Sequence, residues 1–299
     1  VIGYVPKDKV IAVSEAVMSV QRDYGDRLDR AHARFKYTID DKGLDWIKAE
    51  IERRLGFALE EARPFAFDSN GDEFGWSKGK DGRHHFGLFI QNGRVANRDG
   101  YELMDGLRAI AEIHKGEFRL TPNQNLVIAN IAAGERKRIE ELLDRYGMSG
   151  ANAGSALRRN SIACVALPTC GLAMAESERY LPSLITKLDA ILADNGLSDD
   201  AITIRMSGCP NGCSRPYIAE IGFTGRAPGK YNVYLGGGFH GQRLNKMYLE
   251  NVGEETILAE LGKVIGHYAR ERKPGERFGD FTIRAGYVKE VTAGRHFND

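Results

Sequence analysis

All four cysteines of this 299-residue chain fall in two close pairs, Cys164-x5-Cys170 and Cys209-x3-Cys213. Thiolates so grouped suit four kinds of chemistry. Free cysteines can be small buried hydrophobes, but isolated residues rather than two pairs are the usual form of that. Disulfides need an oxidising compartment, and with nothing in the residues indicating secretion the thiols are expected to stay reduced. A structural zinc site presents C-x2-4-C turns, a range that admits the x3 pair and not the x5 pair. A cubane iron-sulfur cluster takes one cysteine sulfur on each iron and tolerates both spacings. Pro210 after Cys209, with Gly208 and Gly212 on either side, predicts a tight turn there. A helix expected to start just after Cys170 would present its N-terminus to the cluster's negative charge.

The elements that must hold these loops are legible from periodicity. Val10, Val13, Val17 and Val20 predict an amphipathic helix over residues 7–20, and a second helix is expected over 45–55. Between them Arg22, Arg27, Arg30, Arg34 and Lys36 form a basic cluster, with Arg27, Arg30 and Arg34 at one-face helical spacing. Residues 63–72 read as a loop. Phe86, Leu88 and Ile90 alternate as a strand running into an Asn92-Gly93 turn, a helix covers 101–114, and strands follow at 118–120 and 126–131. Small residues at 147–154 mark a linker. Beyond it a helix over 173–195, kinked by Pro182, precedes strands at 202–206, 218–224 and 231–235 and a closing helix over 254–272. Three units are expected: 1–76, 77–149 and 150–299. The fold class is α+β, with mixed sheets flanked by helices.

Bulk properties limit the partners. Forty-two basic and 41 acidic residues leave a net charge of +1, so no global field draws the chain to nucleic acid. No apolar run approaches the ~20 residues of a membrane span, and a cytoplasmic setting is expected. The opening Val1-Ile2-Gly3, without Met, is expected of a fragment or processed product.

One stretch is more specific than any of these patterns. Met206-Ser207-Gly208-Cys209-Pro210-Asn211-Gly212-Cys213-Ser214-Arg215-Pro216 resembles the second half of the signature of siroheme-dependent sulfite and nitrite reductases, and Cys164-Val165-Ala166-Leu167-Pro168-Thr169-Cys170 resembles the first. Thr121-Pro122-Asn123-Gln124-Asn125, Leu235-Gly236-Gly237 and Phe278-Gly279-Asp280-Phe281 extend the likeness to the C-terminal half of NADPH-type assimilatory sulfite reductase hemoproteins. The resemblance implies half of a pseudo-two-fold siroheme-enclosing fold. It implies a [4Fe-4S] cluster on Cys164, Cys170, Cys209 and Cys213, with Cys213 also bridging to siroheme. It further implies six-electron reduction of sulfite to sulfide, a missing N-terminal half, and a diflavin NADPH reductase or a ferredoxin as electron donor. A nitrite reductase of the same family shares every ligand. The anionic siroheme needs cationic and amide partners, for which Arg30, Arg34, Lys36, Arg119, Asn211, Arg215 and the turn Asn123-Gln124-Asn125 are the candidates. A cluster-only or zinc-binding module, inactive without the missing half, is the alternative. His84, His85 and His240 are read as surface or core residues, and Gly236-Gly237-Gly238 as a close backbone approach toward the cofactor.

Overall fold

Residues 1–65, 69–292 and 297 are described here, from a computed structural model of the chain. It divides into Val1–Phe67 and Asp68–Asp299. In the first unit, helices α1 (Val10–Tyr24), α2 (Phe35–Lys42) and α3 (Leu44–Leu55) close on Ala16, Val20, Ile47 and Ile51. Of the apolar stripe expected on α1, Val20 is fully buried whereas Val10 stays exposed. Gly56 ends α3 in the left-handed conformation (φ 71°), donating its N–H to Glu52 O at 3.0 Å.

The basic segment between α1 and α2 is not helical. Asp26 Oδ1 accepts from the N–H groups of Leu28 and Asp29, and Asp29 Oδ1 accepts from Ala31. Short acidic side chains thereby take backbone donors that a helix would use, so Arg27, Arg30 and Arg34 share no helical face, correcting the spacing argument. Arg34 instead stands at the N-terminal boundary of α2.

The second unit holds two sheets on separate cores. The smaller is antiparallel in the order β1-β2-β6-β5, from β1 (Gly75–Lys78), β2 (His84–Leu88), β5 (Glu117–Leu120) and β6 (Leu126–Ile131). A two-stranded ribbon, β3 (Asn97–Arg98) and β4 (Tyr101–Glu102), leads into α4 (Leu103–Ile113), and α5 (Arg136–Arg145) follows β6. Phe86, Leu88, Ile110, Ile128, Ile131 and Ile139 fill this core. The small-residue segment at 147–154 carries a short 3-10 turn tied to β2: Asn152 accepts from Phe89 N at 2.9 Å and donates to Gly87 O at 3.0 Å.

The larger sheet is mixed, ordered β11-β10-β9-β8-β7. It comprises β7 (Ser161–Ala163), β8 (Ile204–Ser207), β9 (Ile221–Ala227), β10 (Lys230–Leu235) and β11 (Lys246–Val252). β7, β8 and β9 run parallel; β9, β10 and β11 are antiparallel. The short α6 (Ala156–Arg159) precedes β7, while α7 (Leu181–Asp194), α8 (Glu254–Glu271) and α9 (Phe278–Arg284) contribute Leu184, Leu188, Leu261, Val264 and Phe281 to the core with Phe223 and Val233.

Three expectations are corrected here. No helix starts at 173: residues 171–180 are turns, and Ala175 O, which a helix would offer to the N–H four residues on, accepts from Leu167 N instead, while Met174 N and Ala175 N donate to Gly208 O (2.8 and 3.1 Å). Pro182 therefore lies in the first turn of α7, where its missing N–H breaks no bond, and causes no kink. The glycine run after β10 approaches its own chain rather than an open cofactor face. A Cβ on Gly237 would lie 2.1 Å from Ala219 O, and one on Gly236 2.9 Å from Val288.

Candidate metal centre

β7 and β8 are adjacent parallel strands, with Ala163 opposite Met206. Cys164 follows β7 directly and Cys209 lies two residues past β8, so both cysteine loops leave the same end of the sheet. In sheets with parallel strands, the carboxyl ends are where ligands are bound. The two loops are stitched at Gly208. Its N–H donates to Cys164 Sγ at 3.2 Å, and its carbonyl takes the N–H groups of Met174 and Ala175. A side chain at 208 would put Cβ 2.5 Å from Ala166 Cβ and 2.6 Å from Ala175 O, which is why glycine stands there.

The other cysteines are set by local turns. Cys170 N donates to Ala166 O at 2.8 Å, with Ala166 itself at φ 49°. Gly212 (φ 69°) and Arg215 (φ 57°) bend the chain around Cys213, and Ser207 and Ser214, both buried, join through their hydroxyls at 2.7 Å beneath it. Cys209 is buried, Cys164 and Cys170 are half-buried, and Cys213 is exposed.

All four thiols are free, so the disulfide reading fails. Among the described residues no three His, Cys, Asp or Glu side chains converge closely enough to hold a single ion. One zinc would draw its sulfurs to ~2.3 Å from a common point, whereas a cubane spreads its ligands over separate irons. An all-thiolate set divided between two stitched loops, with an N–H already directed at one sulfur, fits the cluster.

The candidates for contact with a tetrapyrrole separate into groups. Arg215 Nη2 donates to Pro122 O at 2.9 Å and Gln124 Nε2 to Ala163 O at 2.8 Å. The turn at 121–125 is thus tied to residues next to both Cys213 and Cys164. Asn211, Cys213 and Arg215 are exposed on one loop. Asn123 and Asn125 direct their amides inward, to Asn70 O and Asp72 and, for Asn125 Oδ1, to Ile90 N. Arg119 lies exposed on β5 and pairs with Glu117 at 2.9 Å. Arg30, Arg34 and Lys36 are exposed in the N-terminal unit, Lys36 over the Tyr37 ring at 4.8 Å. A cavity of ≈ 720 Å³ is lined by Val165, Ala163, Gln124, Leu107, Phe118 and Leu120 among others, and the buried Gln124 Oε1 has no partner. His85 accepts from Asn130 N at 3.2 Å.

Sequence reasoning missed the supports of these loops. Tyr217 donates to Pro210 O at 2.8 Å, and burial first, then Tyr234 and Cys209, push its phenol up to about 12. Arg94 grips Glu178 through two 2.7 Å bonds while Asn92 donates to Glu178 O at 2.9 Å, joining the smaller sheet to the loop after Cys170. Glu220 is fully buried, accepting from Thr203 N at 2.9 Å and Gly279 N at 3.0 Å. No motif in one sequence flags such groups, because their partners, Pro210 apart, lie 17 to 86 residues away.

Burial raises the Glu220 carboxyl from 4.5 to about 7, against the hydrogen bonds from Gly279 and Thr203. Between those values the folded chain holds a proton that the unfolded chain has released. Its contribution is therefore fully present below pH 4.5 and is lost as pH rises through 7, by roughly 3 kcal/mol in all. Glu220→Gln should remove that share of the decline in urea-unfolding free energy between pH 5 and pH 8. A variant whose stability falls with pH as steeply as the parent's would rule out titration at Glu220.

The sequence matches two family models: the nitrite and sulphite reductase 4Fe-4S domain over residues 1–59 and 155–291, and the nitrite/sulfite reductase ferredoxin-like half domain over 77–146. Proteins named sulfite reductase [NADPH] hemoprotein beta-component are 72% identical in Nitrobacter hamburgensis, 67% in Methylocella silvestris and 58% in Lysinibacillus sphaericus, over 99–100% of this chain. The chain spans about half the length of these curated relatives, 52% of each. The solved structure of Mycobacterium tuberculosis NirA protein superposes with a TM-score of 0.77 at 30% identity, covering 95% of this chain and 54% of that one. With its cysteine loops inside the matched segments, the chain belongs to the nitrite and sulphite reductase 4Fe-4S domain family.

Proposed function

We propose that this chain is the cluster-bearing half of a sulfite reductase hemoprotein that reduces sulfite to sulfide by six electrons. The observation that carries the reading is the stitching of two cysteine loops at Gly208, with the exposed Cys213 flanked by Asn211 and Arg215. The relatives' names support a hemoprotein and NADPH as the electron source. When bound, the [4Fe-4S] cluster and siroheme supply an electron store and the centre at which sulfite is reduced.

This chain's own residues supply the holding and the polarity. Cys164, Cys170, Cys209 and Cys213 would hold the cluster through their thiolates, and Cys213, the one facing outward, would be the ligand nearest a siroheme. Gly208 N–H steadies the negative charge on Cys164 Sγ. Asn211 and Arg215 offer an amide and a guanidinium beside Cys213; Gln124, Asn123 and Asn125 build the turn to which Arg215 is tied. Arg30, Arg34, Lys36 and Arg119 are cations available to siroheme carboxylates. The six electrons and accompanying protons require further donors, assigned to the N-terminal half, and a diflavin NADPH reductase or a ferredoxin as partner. No helix among the described residues is long and apolar enough to cross a membrane, and a cytoplasmic setting keeps the four thiols reduced.

Anaerobic turnover decides the assignment. The full-length protein should reduce sulfite in preference to nitrite, and residues 1–299 alone should reduce neither. Preference for nitrite would overturn the substrate, and sulfite turnover by this chain alone would overturn the division of the site between halves.

A further inference from the structure

Tyr217 lies one residue beyond the stretch 206–216 that carries the sulfite and nitrite reductase likeness, and its side chain reaches back to that stretch. Its phenol donates to Pro210 O at 2.8 Å, inside the link between Cys209 and Cys213. Its ring lies against the same link at Gly212, where an added Cβ would stand 2.9 Å from Tyr217 Cε2. The link's own closure is weaker, with Gly212 N reaching Cys209 O at 3.4 Å. One side chain therefore braces the link at both ends.

Tyr217 is itself held from below. Asn245, 1% exposed, donates its backbone N–H to Tyr217 O at 2.9 Å and its side-chain amide to Pro216 O at 2.7 Å and Ala219 O at 2.9 Å. Those bonds fix the short 3-10 turn Pro216–Ile218 that carries Tyr217. Tyr234 and Phe297 meet the ring edge-on, their centroids 5.3 and 5.2 Å away. Arg215, at the head of the turn, keeps the left-handed conformation (φ 57°), which a residue other than glycine retains only where its surroundings hold it there. Supports of this kind orient metal ligands without touching the metal, and their loss weakens the hold on it.

We propose that Tyr217 is a positioning residue for the iron-sulfur cluster: through Pro210 and Gly212 it sets the span between Cys209 and Cys213, and so governs how firmly these two thiolates retain iron. The inference rests on the cluster reading above and adds to it a residue outside the cysteine pattern.

The test compares the anaerobically reconstituted full-length protein with its Tyr217→Phe and Tyr234→Phe variants. Tyr217→Phe keeps the ring and removes the bond to Pro210 O. Tyr234→Phe removes the phenol of the neighbouring ring, which bonds to Thr224 at 3.4 Å rather than to the cysteine link. Iron release to a chelator, the EPR spectrum of the reduced protein and Tm are measured for each. Loss of one hydrogen bond predicts release about 2- to 10-fold faster in Tyr217→Phe, with shifted g values and a Tm close to the parent's, while Tyr234→Phe behaves as the parent. Parent-like release and g values in Tyr217→Phe overturn the proposal. An equal effect in both variants does the same, as does faster release with an unchanged spectrum and a lowered Tm, the mark of lost packing alone. A parent that holds neither iron nor acid-labile sulfide overturns the cluster reading, and the proposal with it.

Discussion

Cys213→Ala is expected to leave the fold intact and abolish sulfite reduction in the full-length protein. Cys213 is the exposed cysteine, whereas Cys209 is buried, so truncation at 213 opens no cavity and should change stability by no more than about 0.5 kcal/mol. Its effect therefore reads on chemistry. On the proposed assignment, one iron would lose its thiolate, and the siroheme would lose its link to the cluster. Removing groups that merely orient metal ligands costs about 10–100-fold, so loss of the ligand itself should lower kcat by more than about 100-fold. Unfolding curves, iron content and kcat, measured together, check this. A variant that folds normally and turns over sulfite at the parent rate would show that Cys213 is no ligand.

Gly208→Ala should have the second largest effect, through geometry alone. The new methyl would stand 2.5 Å from Ala166 Cβ and 2.6 Å from Ala175 O, and neither is the yielding end of a flexible side chain. Relief requires the two cysteine loops to part, which also lengthens the 3.2 Å bond from Gly208 N to Cys164 Sγ. Overpacking of this kind costs about 1–3 kcal/mol, and at the upper end iron retention weakens by roughly 100-fold. Gly171→Ala is the matched control. It lies beside Cys170 in the same site, and its added Cβ meets nothing within 4 Å. Iron retention against a chelator should fall in Gly208→Ala and hold in Gly171→Ala; equal behaviour of the two would remove the stitching from the account.

The contrast between these glycines shows what a sequence discloses and what it withholds. The cysteine pairs and the turn residues around 208–216 were legible because the signature is local. α3 and α8 were legible too, since a helical pattern persists for 12 to 18 residues. β7 was not, because its three residues, all buried, carry no alternation. β11 was missed for the opposite reason, its residues ranging from half-buried to exposed. The helix expected at 173 failed because Ala175 O accepts from Leu167 N, behind it in the chain, rather than from the N–H four residues ahead. The basic segment at 22–36 misled because spacing ignores what Asp26 and Asp29 do to the backbone. The Cys213 loop was expected to contact cofactor, but its tie from Arg215 to Pro122, across 93 residues, only the fold reveals.

Quantifying iron, acid-labile sulfide and zinc in the anaerobically reconstituted full-length protein tests the central claim most directly. Four acid-labile sulfides for every chain, with four irons or, where siroheme is bound, five, and with zinc absent, is the result expected of one cubane on Cys164, Cys170, Cys209 and Cys213. One zinc per chain without sulfide, or thiols that stay metal-free, would contradict it.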